Sequence, residues 1–378
     1  MRTGSIALGS ILLALIACAQ APDQQGLSAE LFPAVGGYID RDGRLRIPQQ
    51  FTSAGLFTEN LAPVQVGKRW AYIDKRGCIV IGARFDDAWL FGEGLAPVRV
   101  GDKLGYIDPT GEWAIPPKYD PPKGLEYIPD FWQGFAMVRI GGEHAFINRS
   151  GALLPEQFRE AEPFQDGLAA VKVNDGWGFI DHAGKLVVPP RFDWTYGFSE
   201  GLAYVRAGRK DVVIDNAGKA LSEGYIDTAG NVAFRMPTGW GNGMAFKEGL
   251  APASFRDKMG YLDRAGHVAI QPKFRVTLGF VEGLAPSFLG DSCGYIDHQG
   301  EFAVKPRFTH CRHFSGGLAF VVEKGSKRSL FGSWSEVQTV GYITPAGEYV
   351  WLASSDSRHW LLLALRRIPF QLACRLGL

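Results

Sequence analysis

The sequence predicts an all-β fold built from tandem units of about 34 residues, and three observations carry that prediction. The first is a register mark, Gly-Tyr-Ile-Asp or a close variant, starting at Gly37, Ala71, Gly105, Ala145, Gly178, Val212, Gly224, Gly260, Gly294 and Gly341. A fixed period of this length is the signature of a repeat architecture. The second is a companion mark, Phe-x-Glu-Gly-Leu-Ala or a variant, starting at Phe57, Phe91, Phe131, Phe164, Phe198, Phe246, Phe280 and Phe314. The third is the apolar pattern between the marks. Ala96, Val98 and Val100 alternate with Pro97 and Arg99, as Ala169, Val171 and Val173 do with Ala170 and Lys172. Alternation is the mark of a half-buried strand, and it excludes the helical units that share this repeat length.

Each unit reads as three strands. Leu-Ala-x-Val-x is the first, Gly-Tyr-Ile-Asp the second, and stretches such as "EWAIPP" and "KLVVPP" the third. The prolines are expected to end the third strand, since proline cannot donate to a ladder. Between the second and third strands, Asp108-Pro109-Thr110-Gly111 has the chemistry of a type I turn. Asp caps the turn's own N–H groups, Pro presets its backbone angle, and Gly takes the left-handed position. Asp40…Gly43, Asp74…Gly77, Asp181…Gly184, Asp215…Gly218, Asp227…Gly230, Asp263…Gly266 and Asp297…Gly300 repeat it. A recurring Asp of this kind is a turn residue; so many copies of a catalytic acid make no chemical sense.

Three antiparallel strands leave the chain at the end opposite its start. A segment such as "PPRFDWTYGFSEG" (189–201) must therefore travel back, with Phe198 and its equivalents pinned to the core. The expected unit is three strands plus an extended return. No unit buries its apolar face alone, so neighbours must stack. The uneven spacing, including a step of only 12 residues from Val212 to Gly224, favours an open, curved, solenoid-like array. The alternative is a propeller-like closed ring.

The residues "WGFID", "WAYID", "LGYID", "MGYLD" and "CGYID", together with "VVPPRFD" and "FSEGLA", resemble the bacterial WG repeat over roughly residues 36–350. Trp stands directly before Gly in only one mark, at Trp177. The resemblance implies β-rich repeats in secreted or envelope proteins without a shared catalytic site, and it supplies no ligand.

Residues 1–17 read as a signal peptide: a basic start, then an apolar run from Ile6 to Ala17. That run is too short to span a bilayer, which takes about 20 residues. Leu15-Ile16-Ala17-Cys18 resembles the lipobox, which implies lipidation of Cys18 and a lipid anchor in the membrane. Ala19 after it resembles the sorting pattern for the outer membrane of Gram-negative bacteria. Residues 18–35 read as a flexible tether, 36–350 as the repeat domain, and 351–378 as an atypical tail or cap.

Net charge is +1, so no global field recruits nucleic acid. No Gly-x-Ser-x-Gly, Walker loop, His-Glu-x-x-His or Cys-x-x-Cys occurs, so neither an enzyme nor a cofactor is expected. Cys293, His298, His310, Cys311 and His313 lie close in sequence but lack the paired spacing of zinc ligands. They read as ordinary unpaired residues, with a Cys293–Cys311 disulfide as the competing reading. Cys78 has no evident partner.

The candidate binding residues come from the outward position of the first strand. Gln65, Arg99, Arg139, Lys172 and Arg206 occupy it in successive units. Four cations in a row suit an envelope protein or an anionic glycan; the competing expectation is a solvated face with each cation paired to an acid. Insertions add Trp132 and Trp334 as candidates. The function expected is a non-enzymatic envelope lipoprotein that binds a protein or ligand through its repeat surface. The alternatives are glycan binding or processing by surface tryptophans (Trp89, Trp132, Trp194) and a structural spacer.

Overall fold

The computed structural model describes residues 30–122, 128–207, 222–328 and 334–354. Among these there is no helix; strands form eight sheets. The chain divides into two compact units. One comprises residues up to Gly141 with Ile147–Ala152, the other Gly142–Phe146 with Leu153 onward.

The predicted hairpin is found in copy after copy. In the first unit Ala96–Val100 pairs antiparallel with Lys103–Ile107, which pairs with Trp113–Tyr119. In the second, Ala285–Leu289, Ser292–Ile296 and Phe302–Phe308 repeat the arrangement. The Asp turn forms as expected. Asp108 Oδ1 accepts the N–H groups of Thr110 and Glu112 at 2.9 and 3.1 Å, while Gly111 sits at φ 89°.

Four expectations need correction. The return is not merely extended: its first residues form a short fourth strand on the next copy. Asp87–Ala88 pairs with Arg99 and Val98, and Val276–Thr277 with Phe288 and Ser287. The resulting four-stranded antiparallel meander is a propeller-type blade, the alternative reading, in place of the three-strand coil of an open solenoid-like array. The prolines do not end the third strand. Pro116 and Pro117 lie inside Trp113–Tyr119, where the register slips between Leu104↔Tyr119 and Tyr106↔Ile115. A bulge leaves residues unpaired, so a missing N–H costs nothing there. The mark at Val212 lies outside the described residues; Leu202–Ala207 pairs instead with Glu223–Asp227. Last, the expected tether 18–35 already contains a strand, Phe32–Ala34, paired with Gly37–Ile39.

The ten-residue strand Leu186–Thr195 explains why one sheet has six strands. Its beginning is the third strand of one copy. Its end, Trp194-Thr195, is the short strand of the next, paired with Arg206 and Val205.

Consecutive copies are joined by three recurring contacts. The buried ring of the second strand meets the Phe of the following companion mark. Tyr72–Phe91 and Tyr106–Phe131 are 5.1 and 5.0 Å between centroids in the first unit; Phe179–Phe198, Tyr225–Phe246, Tyr261–Phe280 and Tyr295–Phe314 span 4.7 to 5.1 Å in the second. Each such pair stabilises by about 0.5–1.5 kcal/mol beyond its burial. The tyrosine hydroxyl then donates to a carbonyl of the return: Tyr72 to Trp89 at 2.8 Å, Tyr106 to Pro129 at 2.7 Å, Tyr295 to Arg312 at 2.7 Å. Burial pushes the Tyr72 and Tyr295 hydroxyls well above their ordinary pKa, so they stay protonated and keep donating.

The second contact is the turn glycine. A Cβ on Gly111 would stand 2.9 Å from Ile81 Cγ2 of the preceding copy, and one on Gly300 2.6 Å from Ile270 Cγ2. The carbonyls of Gly230 and Gly347 also accept from Arg191 and Arg307 at 2.7 and 2.8 Å.

The third contact is a ladder of carboxylates. Phe-x-Glu-Gly forms a two-residue hairpin with both central residues left-handed, such as Glu93 at φ 53° and Gly94 at φ 80°. A non-glycine residue there costs about 1–2 kcal/mol. The acid is held because it reaches the backbone N–H of the glycine one copy on. Glu59 accepts from Gly94 and Glu93 from Gly134, both at 2.9 Å; Asp166 accepts from Gly201 at 2.7 Å and Glu200 from Gly249 at 3.0 Å. A hydrogen bond to a charged group contributes about 1.5–3 kcal/mol, enough to offset the strain.

Gly111→Val should therefore destabilise by about 2 kcal/mol or more, since it adds a clash with Ile81 to the left-handed strain. Gly134→Ala, at φ 84° with open space around its Cβ, should lose only about 1 kcal/mol. Chemical denaturation of both variants checks the order; equal losses would contradict the packing of the turn on the preceding copy.

Candidate functional site

The basic row is present in the strands, but most of it is engaged. Arg99 Nε and Nη2 donate to Asp87 Oδ2 at 2.8 and 2.5 Å. Lys172 Nζ is 2.6 Å from Glu160 Oε1 and 5.9 Å from the Trp177 ring centroid. Arg139 stands opposite Asp120 across a backbone bridge. The hydrogen bond from Lys103, at 2.7 Å, holds Asp120 below the usual carboxylate range against a desolvation cost, and the Arg139 charge adds to the lowering. The acids come from the short strand or the residues beside it, the part of the fold that sequence reasoning took for an unpaired return. Gln65, without a charge, stands opposite Ser53.

Arg206 differs. Its cross-strand neighbour on the short-strand side is Trp194, where the other cations meet a carboxylate. Its neighbour on the far side is Glu223. Arg206 is exposed, and among the described residues no ion pair holds it.

The remaining candidates separate. Trp132 is 50% exposed on the hairpin of its companion mark. Trp334 opens the strand Trp334–Ile343, and its side chain lies outside the described residues, as does Cys18. Trp89 is half-buried, and its carbonyl accepts the Tyr72 hydroxyl.

The cysteine and histidine cluster is structural, and its reading as unpaired residues is corrected. Cys293 and Cys311 form a disulfide with Cα atoms 6.1 Å apart. It clips the second strand of one copy to the short strand of the next, because the return carries Cys311 alongside the partner strand. Cys78 is disulfide-bonded as well. His298 stacks on Phe280 at 4.3 Å and lies 3.2 Å from Glu248. His313 is buried, its Nε2 hydrogen-bonded to the Gly279 carbonyl at 3.0 Å. Among the described residues no group of three His, Cys, Asp or Glu side chains is arranged to hold a metal.

Two features went unread in the sequence. One is the carboxylate ladder, whose signal was an acid before the glycine in nearly every companion mark. The other is an aromatic group around Trp194, Tyr196 and Tyr204, whose signal was two departures from the repeat: Trp in place of the acid, and Tyr204 in place of the usual Pro97 or Pro286.

The family described as WG containing repeat matches residues 37–70, 70–103, 105–143, 146–177, 177–210, 259–286 and 294–327. The chain belongs to the WG repeat family. Among solved structures, the WG repeat chain is similar to a eukaryotic initiation factor. Identity is 9%, the TM-score is 0.58, and the match covers 86% of this chain and 96% of that one, which is a likeness of fold. BamB from Moraxella catarrhalis matches at 10% identity and a TM-score of 0.39, covering 79% of this chain and 91% of that one. No curated relative matches.

Closing a loop of this size by a disulfide contributes about 3 kcal/mol. Cys311→Ser should lower stability by about that amount, and dithiothreitol should lower the thermal midpoint of the wild type but leave that of the Cys293→Ser/Cys311→Ser variant much less changed. Equal sensitivity of the two to the reductant would contradict the pairing.

Proposed function

We propose that this WG repeat protein is a non-enzymatic lipoprotein of the cell envelope, anchored through Cys18, whose blade surface binds a protein or an anionic glycan. The observation that carries the binding reading is the use made of the recurring polar groups. The turn aspartates and the companion-mark acids cap backbone N–H groups, so the polar residues common to all copies are spent on the scaffold. What varies from copy to copy is the exposed strand face, and a repeat scaffold presents such faces for recognition through many weak contacts.

The envelope reading rests on the Leu15-Ile16-Ala17-Cys18 motif behind a short apolar run, and on the family resemblance. The Cys293–Cys311 disulfide supports an oxidising compartment. Outer-membrane sorting follows from Ala19 in the same motif.

Radiolabelled palmitate should enter the wild type and not Cys18→Ala; equal labelling would end the anchor reading. For recognition, capture from envelope extract with reversed charges at Arg99, Arg139, Lys172 and Arg206 should lose the partner that the wild type retains. Arg206→Glu should matter most, since the other three have a carboxylate as their neighbour on the short-strand side, where Arg206 has Trp194. A partner retained by all the reversals would displace the binding face from this row, and no partner at all would favour a spacer.

A further inference from the structure

One place in the second unit departs from the repeat in several ways at once. In the regular copies the first-strand cation looks across the sheet at an acid: Arg99 at Asp87, Lys172 at Glu160. At Arg206 the acid is replaced by Trp194. The proline found at Pro97 and Pro286 is replaced by Tyr204. Direct cross-strand partners share a face of the sheet, as do residues two apart on one strand. Trp194, Arg206 and Glu223 are in register, and Tyr204 lies two residues from Arg206, so all four project from one face. The opposite face carries Thr195 and Val205, which are buried.

The face is aromatic and only partly covered. Trp194 lies 4.1 Å from Tyr196 and 5.9 Å from Tyr204, centroid to centroid. Trp194 and Tyr196 are half-buried and pack against a cluster that contains the buried rings of Tyr204, Tyr225 and Phe246. The Tyr204 hydroxyl donates to Glu223 Oε2 at 2.6 Å, which fixes the carboxylate beside the rings and leaves its other oxygen as an acceptor. Gly241 leaves room for that carboxylate: a Cβ there would stand 3.0 Å from Glu223 Oε2. An aromatic surface, an exposed guanidinium and an oriented carboxylate thus converge within one sheet face.

We infer that this face binds an acidic saccharide, with a pyranose ring laid on Trp194, its carboxylate on the Arg206 fork and a hydroxyl donating to Glu223. The C–H face of a pyranose is apolar and suits the face of an indole. A guanidinium recognises a carboxylate through two parallel N–H donors, a geometry that lysine does not provide. A few fixed polar groups beside aromatic surface are what orient a small ligand. This inference deepens the binding reading proposed above and rests on it.

Titration of the full chain with a galacturonate hexamer and, separately, with maltohexaose tests it, read by tryptophan fluorescence and calorimetry. The acidic hexamer should bind saturably, and the neutral one at least tenfold more weakly. Trp194→Ala and Arg206→Glu should each weaken the acidic hexamer at least tenfold, and Trp113→Ala, at an exposed tryptophan in the other unit, should leave it unchanged. Arg206 is exposed, and Arg206→Gln, which sets no second carboxylate opposite Glu223, should weaken the acidic hexamer while keeping the wild-type thermal midpoint, which separates loss of binding from loss of fold. Failure of both hexamers to bind, or binding indifferent to Trp194→Ala and Arg206→Glu, would overturn the assignment. So would equal affinity for the two hexamers. If the envelope partner is lost on charge reversal at the other cations yet kept by Trp194→Ala, the binding reading stands and this face is not its site.

Discussion

The structure depends on a buried ring whose packing is completed from outside its own copy. Tyr72, Phe179 and their counterparts at the centre of the second strand are fully buried, and each meets a Phe from the companion mark of the copy that follows as well as the apolar side chains of its own sheet. A hairpin of this size exposes too much apolar surface to stand alone. Among the described residues the chain solves this by translation: a copy lends a Phe to its predecessor and borrows one from its successor. The hydroxyl adds direction, since its bond to the return carbonyl sets where the chain crosses from one sheet to the next.

The carboxylate ladder shows how the scaffold tolerates strain. A glutamate or aspartate held in the left-handed region at most of the described crossings looks like a defect in any one copy. Across copies it is a clasp, because the carboxylate is aimed at a backbone N–H that no strand satisfies. Glycine in its place would relax the backbone and lose the clasp. The magnitudes favour the acid, since a hydrogen bond to a charged acceptor outweighs the cost of a left-handed residue. The same economy separates scaffold from surface. Acids and tyrosines that recur are consumed by the frame, so recognition falls to positions that vary, and Trp194 and Tyr204 are two such departures beside Arg206.

Much of the frame was legible in the chain. The alternation around Val98 and Val171 identified strands because the pleat puts successive side chains on opposite faces. The Asp and Gly of each turn identified the hairpin because few residues accept a left-handed backbone angle. Phe198 and its equivalents were recognisable as core anchors. The prolines misled, because proline forbids only a ladder hydrogen bond, and a bulge has none to forbid. The cations at Arg99 and Lys172 misled as well. Their partners, Asp87 and Glu160, are 12 residues away in sequence and come alongside only through the short strand.

The sequence by itself determined what is local and periodic: the strand pattern, the turns, the copy length, and that no copy closes its own core. Only the tertiary structure decided which groups meet across copies. It turned the return into a fourth strand, joined Cys293 to Cys311, neutralised most of the basic row and set Arg206 beside Trp194 and Glu223. The physical reason is that backbone preference and side-chain alternation are encoded within a few residues, whereas pairing depends on the register between segments that the chain brings together only when it folds.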